Sequence, residues 1–454
     1  MQQRQNGRLY LDVSETAFAC GETVADLSAD QADANPFAFA VLTAQTFRQV
    51  REESMTGSNE VQQKITGADR RLWPEELAFS EDVFATRLRD LQDEMAREDL
   101  QLTLLFDPEN VFWLTGYQTI GYFTFQALIV PLSGKPVMLT RVVNYDMALA
   151  MPTIGDAVPV FDTQDHLEVL NSFLQGKASY GKIGYESKSR YLNIHEFQRL
   201  KDCFGDRLLA FDGHIEAKRM VKTEDELDRM RAASRAVEAG MHAALSEIAP
   251  GKTDNDLAAA MYHGSIAAGS EYIGHPPMVV SGPRTALCFA LWKRKTLQKG
   301  DVVLLEGAGC VDRYHAMMAR SAVLGKASAL HREAADALIE VLEIATREIK
   351  PGIPAGEVDR ACRSQIKSRG LERYFKSRTA YGIGIGFPPN WAEGHIYSIR
   401  PEEPLILQPN MTFHIIPTIF RDEFGMAISD SVCVTGNGCD LLTHAPRDLL
   451  EVDC

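Results

Sequence analysis

The sequence predicts an α/β domain followed by a larger α+β domain, and the order of its segments predicts both. Between about residues 80 and 215, helical segments alternate with short apolar runs, as in an α/β unit. Further on, two long helical segments precede a series of strand-like runs, as in an α+β domain. The predicted boundaries are a polar N-terminal extension over residues 1–78, the first domain over 79–215 and the second over 216–454.

The first domain opens with an amphipathic helix in SEDVFATRLRDLQDEMAREDL. Ser80 is a suitable N-cap, and Val83, Phe84, Leu88 and Leu91 fall on one helical face. The apolar runs LTLLF, FWLTGY, FQALIVPL and VMLTR follow and are interpreted as strand-like, with DPEN as a turn after the first.

The second domain opens with a long helix, because Thr223 and Glu226 form a capping box in VKTEDELDRMRAASRAVEAGM. Another helix, TDNDLAAAMYHGSIAAG, ends at Gly269. The runs MVVSG, DVVLLEGAG and YHAMMARSAVLG then predict strands, and two further helices precede the last strands, MTFHIIPTIF and AISDSVCVTG.

Composition argues against several classes of function. The chain has 454 residues, 45% of them hydrophobic, and its 62 acidic and 47 basic side chains leave a formal charge of −15. This excess of acidic groups argues against nucleic-acid and membrane partners, whose phosphates attract Lys and Arg. No apolar run is long enough for a membrane span or a secretory signal, so a cytoplasmic location is expected. The eight cysteines are dispersed and are expected to be reduced and mostly buried.

Several motifs occur in the order found in a known family. These are KTEDELDRMRAASRAVEAGM, LQKGDVVLLEGAG, YHAMMARSAVLG, TAYGIGIGFPP, LQPNMTFHIIP and VCVTGNGCDLLT. Together they resemble the pita-bread hydrolases, which include creatinase, aminopeptidase P, prolidase and methionine aminopeptidase. LLEGAGCVDRYH, RTAYGIGIGFPPNW and NMTFHIIP are similar in particular to the ectoine hydrolases. The resemblance implies a pita-bread catalytic domain, a creatinase-type N-terminal α/β domain and a homodimer.

The peptidases of this family carry five metal ligands, two Asp, one His and two Glu. The resemblance aligns these ligands with Glu306, Met317, Tyr381, Ile416 and Ser429. Four of the five are therefore replaced by groups that do not serve as hard oxygen ligands for two divalent cations. The sequence accordingly predicts no metal and no other cofactor, so catalysis would depend on side chains.

Creatinase-like members also carry a histidine eight residues after the serine of an SG motif. Here the motif is Ser281-Gly282 and that position is Phe289. Phe289 is expected to contact the substrate, and the group that replaces the histidine stays open. Cys288, next to Phe289, is interpreted as an unreactive core thiol rather than a nucleophile.

Four residues are candidates for catalysis. Glu306 lies in the apolar run VVLLEGAG, where loss of solvation raises the pKa of a carboxyl group and suits it to act as base or nucleophile. The alternative is a structural ion pair with Arg320. His315 and His414 are candidates for proton transfer, and Tyr381 for stabilising developing charge. The alternative for these three is ordinary packing.

Besides Phe289, five residues are candidates for binding the substrate. Asp430 would orient a base or bind a cationic group, unless it belongs to a buried ion pair. Trp391 and His395 lie on the proline-rich segment FPPNWAEGH, which is typical of a loop lining a pocket. In dimeric family members the N-terminal domain resembles a lid, so Tyr122 and Phe123 would enclose a cationic substrate, or else pack between domains.

These residues predict a metal-independent hydrolase that cleaves a C–N bond of a small polar solute, such as an ectoine-like cyclic amidine or a creatine-like compound. A metal-dependent Xaa-Pro aminopeptidase or dipeptidase is one alternative. A catalytically inactive family member that binds a peptide or partner protein is another. A small molecule and a second copy of the chain are the expected partners.

Overall fold

The computed structural model describes residues 76–175 and 181–454. Almost all of the predicted N-terminal extension, residues 1–75, lies outside the described residues. Within the described ranges, no helix is both long and apolar enough to cross a membrane.

The first domain is built on a six-stranded mixed sheet in the order β4-β3-β2-β1-β5-β6. Strands β1, β2 and β3 are antiparallel neighbours, and the remaining pairs are parallel. The strands are β1 (Leu100–Leu105), β2 (Ala127–Pro131), β3 (Val137–Arg141), β4 (Asp156–Val160), β5 (Lys182–Tyr185) and β6 (Leu208–Ala210). The helices are α1 (Glu81–Arg97), α2 (Pro108–Thr115), α3 (Tyr145–Ala150), α4 (His166–Gln175), α5 (Ile194–Phe204) and α6 (His214–Met220).

The strand-like interpretation of FWLTGY is wrong, because these residues belong mostly to helix α2. Pro108 begins the helix, where its fixed φ and missing N–H cost nothing. Gly116 ends it in the left-handed conformation, with φ 74°, which glycine adopts without a Cβ clash. Every residue of the helix except Glu109 is buried. Apolar residues therefore occur on all sides of the helix, and the run shows no helical periodicity.

The second domain contains the remaining elements. Its helices are α7 (Glu224–Ser246), α8 (Asp254–Ala267), α9 (Ala329–Glu348) and α10 (Ala355–Ser368). Its strands are β7 (Met278–Ser281), β8 (Val302–Val311), β9 (Tyr314–Leu324), β10 (Ala380–Gly382), β11 (Ser398–Ile399), β12 (Thr412–Ile415), β13 (Thr418–Phe420), β14 (Gly425–Ala427), β15 (Asp430–Val434), β16 (Cys439–Leu441) and β17 (Leu450–Val452).

Two larger sheets and one hairpin organise these strands. The first sheet has the order β17-β9-β8-β7, the second has the order β11-β10-β12-β15-β16, and β13 pairs with β14. Helix α7, which begins with the predicted capping box of Thr223 and Glu226, packs against α8, β8 and β9. The run MTFHIIPTIF is split into β12 and β13, since Pro417 between them has no N–H for a sheet. The predicted α+β class is confirmed.

Buried ion pairs connect elements of the two domains. Arg87 lies 2.7 Å from Glu226. Arg219 and Lys222 both bind Glu393, at 2.8 and 2.7 Å, and all three side chains are buried. Removing one partner of such a pair leaves an uncompensated charge, which typically costs about 3–5 kcal/mol. The loop that contains Glu393 is therefore held firmly against the end of the N-terminal domain.

Candidate active site

Strands from the first sheet and residues near the second sheet enclose a cavity of about 420 Å³. Its polar lining includes Glu306, Arg378, Tyr381, His275 and Cys288. The rest of the wall is largely apolar or aromatic and includes Met278, Val280, Leu304, Phe289, Trp391, Ile416, Phe420 and Ala427. A few polar groups in an apolar cavity of this size are typical of a small-molecule site.

Glu306 lies on β8, opposite Met278 of β7 and Ala319 of β9. Its carboxyl group forms no hydrogen bond or ion pair with any residue that the structure describes. Burial raises the pKa of Glu306 to about 8, because an apolar environment disfavours the charged form. The group is therefore mostly protonated at neutral pH.

The alternative ion pair between Glu306 and Arg320 does not form. Arg320 lies opposite Leu305, so it points to the other face of the sheet from Glu306. There its guanidinium lies 2.9 Å from Asp430. Alternation along the strand thus leaves Glu306 facing the cavity without an arginine.

Tyr381, His414 and Ser429 form a hydrogen-bonded chain behind the cavity. The Tyr381 hydroxyl lies 2.8 Å from Nδ1 of His414, and Ser429 Oγ lies 2.6 Å from Nε2. Burial lowers the pKa of His414 to about 3. Burial, and secondarily the charge of Glu306, raises the pKa of Tyr381 well above its usual value. The phenol and the imidazole are therefore both neutral near pH 7.

The partners of Ser429 determine the direction of this chain. Its Oγ accepts the backbone N–H of Ala319 at 2.6 Å. Within residues 76–175 and 181–454, Nε2 of His414 is the acceptor in reach of the Ser429 hydroxyl proton. A neutral imidazole has one donor and one acceptor, so Nδ1–H then donates to the Tyr381 oxygen. The hydroxyl proton of Tyr381 is left for a ligand in the cavity.

Arg378 places a positive charge in the cavity wall. Its Nη1 donates to the Gly394 carbonyl oxygen and to Ser398 Oγ, each at 2.9 Å. The guanidinium also lies over the ring of Tyr381, 4.8 Å from its centroid. In the part of the chain that is described, no carboxylate pairs with Arg378. The remaining N–H groups suit a bidentate anionic group such as a carboxylate.

Aromatic and thiol groups also line the cavity. Phe289 is 74% exposed and has a left-handed backbone with φ 62°, a conformation that is uncommon in non-glycine residues. Trp391 is buried and stacks on His275. Cys288 is exposed to the cavity, so the interpretation as a core thiol is wrong. Cys203 and Cys454 are exposed as well.

His315 and Asp430 lie outside the cavity lining. Both ring nitrogens of His315 bind backbone groups, Nδ1 at 2.9 Å from the Arg313 carbonyl and Nε2 accepting the Gly274 N–H at 3.0 Å. The Asp430 carboxylate binds Arg320 and also Arg447, the latter at 2.6 Å. Neither side chain is offered to a substrate, because its polar atoms are already satisfied inside the protein.

Three further candidates also fall outside this cavity. His395 is exposed on the loop after Trp391. Tyr122 is buried and donates its hydroxyl to the Pro388 carbonyl at 2.8 Å, which corresponds to the packing alternative. Phe123 is 75% exposed and contributes no atom to the wall of the cavity.

The five residues that the family resemblance aligns with metal ligands do not fit a dinuclear metal site. Glu306 offers a carboxyl group, but Met317 offers a thioether and Ile416 an alkyl group. The phenol of Tyr381 keeps its proton, and the hydroxyl of Ser429 is engaged by His414 and Ala319. A pair of divalent cations requires several anionic oxygen ligands, and this set supplies at most one.

Sequence reasoning missed three residues of the site. Arg378 precedes Tyr381 by only three residues, which was a usable signal. The family resemblance indicates Ser429 only as the replacement of a metal ligand, whereas in the structure its hydroxyl group binds and positions His414. No local sequence pattern indicates that His275, which precedes two prolines, lines the cavity.

Comparisons with known proteins agree with this architecture. The Creatinase/Prolidase N-terminal domain model matches residues 87–221, and the Metallopeptidase family M24 model matches residues 228–436. The chain is 29% identical to ectoine hydrolase from Halomonas elongata, with 82% of this chain and 98% of that protein covered. It is 24% identical to an Xaa-Pro dipeptidase from Pyrococcus furiosus, with 80% of this chain and 99% of that protein covered.

Solved structures share the fold. Prolidase from Thermococcus sibiricus matches with a TM-score of 0.73 at 24% identity, covering 81% of this chain and 99% of its own. An X-Pro aminopeptidase from Thermotoga maritima matches with a TM-score of 0.71 at 21% identity, covering 80% and 99%. The two models match in order, so residues 228–436 form a metallopeptidase family M24 domain with the pita-bread fold and residues 87–221 form a creatinase/prolidase-type N-terminal domain.

Proposed function

We propose that this protein is a metal-independent hydrolase that cleaves a C–N bond in a small polar solute, either an ectoine-like cyclic amidine or a creatine-like compound. The observation that carries the proposal is the Glu306 carboxyl group. It is buried, unpaired among the described residues and mostly protonated at neutral pH, and it faces a cavity where the family's peptidases hold metal ions. The likeness to ectoine hydrolase supports the same reaction class.

The remaining wall suits a substrate with a carboxylate at one end and a cationic C–N group at the other. Arg378 supplies a guanidinium without a carboxylate partner in the described structure, which favours an anionic substrate group. Trp391 and Phe289 contribute aromatic rings to the cavity wall, and aromatic rings attract a delocalised cation. Ectoine and creatine both combine these two features. A cavity of about 420 Å³ also matches a molecule of their size better than a long peptide.

In this mechanism the Glu306 carboxyl group donates its proton to a nitrogen of the C–N group under attack. Its raised pKa favours the role of proton donor at neutral pH over that of base or nucleophile. The Tyr381 hydroxyl group donates a hydrogen bond to the oxygen that becomes bonded to the attacked carbon. His414 and Ser429 act through Tyr381 and are positioning residues.

The two alternatives make different predictions. A metal-dependent Xaa-Pro peptidase would lose activity on chelation and regain it with Mn²⁺, Co²⁺ or Zn²⁺, but the donor set at the ligand positions argues against it. An inactive binding protein would bind a ligand without turnover. The unpaired acid in the cavity favours catalysis over both.

Proton NMR distinguishes the three functions. The chelator-treated protein is incubated with ectoine, hydroxyectoine, creatine, related cyclic amidines and Xaa-Pro dipeptides, and product signals are followed. We expect metal-free turnover of an amidine or guanidine, reduced at least about 100-fold by Glu306→Gln. Glu343→Gln, on the exposed face of α9, is the matched control. Full activity of Glu306→Gln, or turnover only with added metal, would contradict the proposal.

We also propose that the chain forms a homodimer in which the exposed Phe123 of the N-terminal domain contacts the neighbouring copy. Phe123 is 75% exposed and Ile120, three residues before it, is 66% exposed, and neighbouring exposed apolar side chains are typical of a protein–protein contact. Sedimentation equilibrium should give twice the chain mass, and Phe123→Ser should weaken the association. A monomer at micromolar concentration would exclude this assembly.

A further inference from the structure

The cavity wall contains several proton donors and needs a proton acceptor for hydrolysis. Glu306 is mostly protonated, Tyr381 keeps its proton and Arg378 is a cation. The buried His414 uses both ring nitrogens on Tyr381 and Ser429. Among the described residues that line this cavity, the one imidazole is His275.

We propose that His275 is the general base of this site and takes a proton from the hydrolytic water through Nε2. The inference rests on the proposed hydrolase function. It supplies a histidine in place of the one that creatinase-like members carry at the position of Phe289.

His275 and Glu306 line the same cavity. His275 comes three residues before Met278, and Met278 is the partner of Glu306 in the pairing of β7 with β8. The imidazole and the carboxyl group therefore border one space, which is large enough for a substrate and a water molecule.

Packing holds the imidazole in place. The Gly274 N–H donates to Nε2 of the buried His315 at 3.0 Å, which anchors the backbone next to His275. A Cβ atom on Gly274 would overlap the carbonyl oxygen of Asn390, so glycine permits close contact with the loop carrying Trp391. The ring of His275 stacks on Trp391 with 3.5 Å between centroids and 26° between planes.

A local hydrogen bond determines which nitrogen is free. Nδ1 of His275 lies 2.6 Å from the Pro276 carbonyl oxygen, which can only accept, so Nδ1 carries the proton. Nε2 then holds a lone pair, and it has no partner among the described residues. Burial lowers the pKa of His275, which keeps the imidazole neutral and able to accept a proton near pH 7.

The proton transfers balance for a cyclic amidine. The water oxygen bonds to the carbon of the amidinium cation while its proton passes to Nε2 of His275, and the C=N electron pair returns to the charged nitrogen, which becomes neutral. The resulting adduct then collapses. Its hydroxyl proton passes to Glu306 as the C=O bond forms, and the other C–N bond breaks as the departing nitrogen takes the proton that Glu306 held. The released amine then takes the proton from His275, so the products are an amide and a protonated amine.

His275→Phe separates catalysis from packing, because it keeps an aromatic ring on Trp391 and removes the base. We expect kcat to fall roughly 100-fold or more, with KM changed little, and we expect the same of His275→Gln. His263→Gln, on the exposed side of α8, is the matched control and should keep full activity. If His275→Phe kept kcat within about twofold, the inference would be wrong.

Labelling of the unmodified protein gives a second test that needs no substrate. Diethyl pyrocarbonate should modify His275 and the exposed His263, but not His315 or His414, as peptide mass mapping would reveal. No modification of His275 under conditions that label His263 would overturn the inference. If the unmodified protein turned over nothing in the NMR panel, the proposed function would fail, and labelling would still decide whether His275 is available as a base.

Discussion

Nε2 of His414 lies 2.6 Å from Oγ of Ser429, the residue that the family resemblance aligns with a metal-binding glutamate of the peptidases. The serine also accepts the N–H of Ala319, so one small side chain connects the two sheets that border the cavity. Ser429 therefore has a structural role between these sheets. That role is to orient His414 and, through it, the phenol of Tyr381.

Ser429→Ala should therefore reduce activity as well as stability. It leaves the N–H of Ala319 and one nitrogen of His414 without a partner, which costs about 1–3 kcal/mol. Urea unfolding measures this loss, and steady-state kinetics should reveal a fall in kcat. Ser431→Ala is the matched control, because Ser431 is equally buried and binds the backbone of Met317. It should lower stability to a similar extent and leave kcat unchanged, and equal kinetic effects in both variants would contradict the positioning role.

Tyr381→Phe should lower kcat roughly 100-fold while KM changes little, since a donor to developing charge acts mainly in the transition state. The variant keeps the ring over which Arg378 lies, so packing is preserved. Steady-state kinetics with the NMR-identified substrate measures both constants. A rise in KM at constant kcat would instead assign Tyr381 to ground-state binding.

Arg378→Gln should weaken binding of substrates with a carboxylate by about 10- to 100-fold, because a charge-assisted hydrogen bond contributes about 1.5–3 kcal/mol. The same substitution should scarcely affect the methyl ester of that substrate. Titration calorimetry of the two ligands against both proteins makes this comparison. Equal losses for acid and ester would mean that Arg378 does not bind the carboxylate.

Stability should depend on pH through Glu306. Its pKa rises from 4.5 to about 8 on folding, so the folded state holds the proton more tightly than the unfolded state. The stabilising effect of the proton is complete below pH 4.5 and is lost as the pH rises through about 8. At about 1.4 kcal/mol per pKa unit, the loss amounts to roughly 5 kcal/mol at most.

Glu306→Gln should remove this dependence. Urea unfolding from pH 5 to pH 9 should give a smaller decline in the free energy of unfolding than the unmodified protein, and the variant should be relatively more stable above pH 8. Parallel curves for the two proteins would mean that Glu306 titrates normally. Activity should also decrease above about pH 8, because the proposed proton donor is then ionised.

Much of the fold followed from local sequence. Thr223 and Glu226 begin helix α7 as their spacing predicts, since a capping box depends on residues one turn apart. The run VVLLEGAG forms a strand and buries Glu306, because apolar neighbours on both faces desolvate any carboxyl group between them. The motif order was sufficient for the family, since each motif belongs to a different strand or loop of the same fold.

Tertiary structure alone decided which polar groups meet in the cavity. His315, His414 and His275 look alike in sequence, but their roles depend on which distant atoms reach each ring nitrogen: backbone groups for His315, two side chains for His414, and a free side for His275. Asp430 likewise became structural only because Arg320 and Arg447 reach it. Periodicity tells which residues share a face of a strand, but the packing of other elements determines what that face meets.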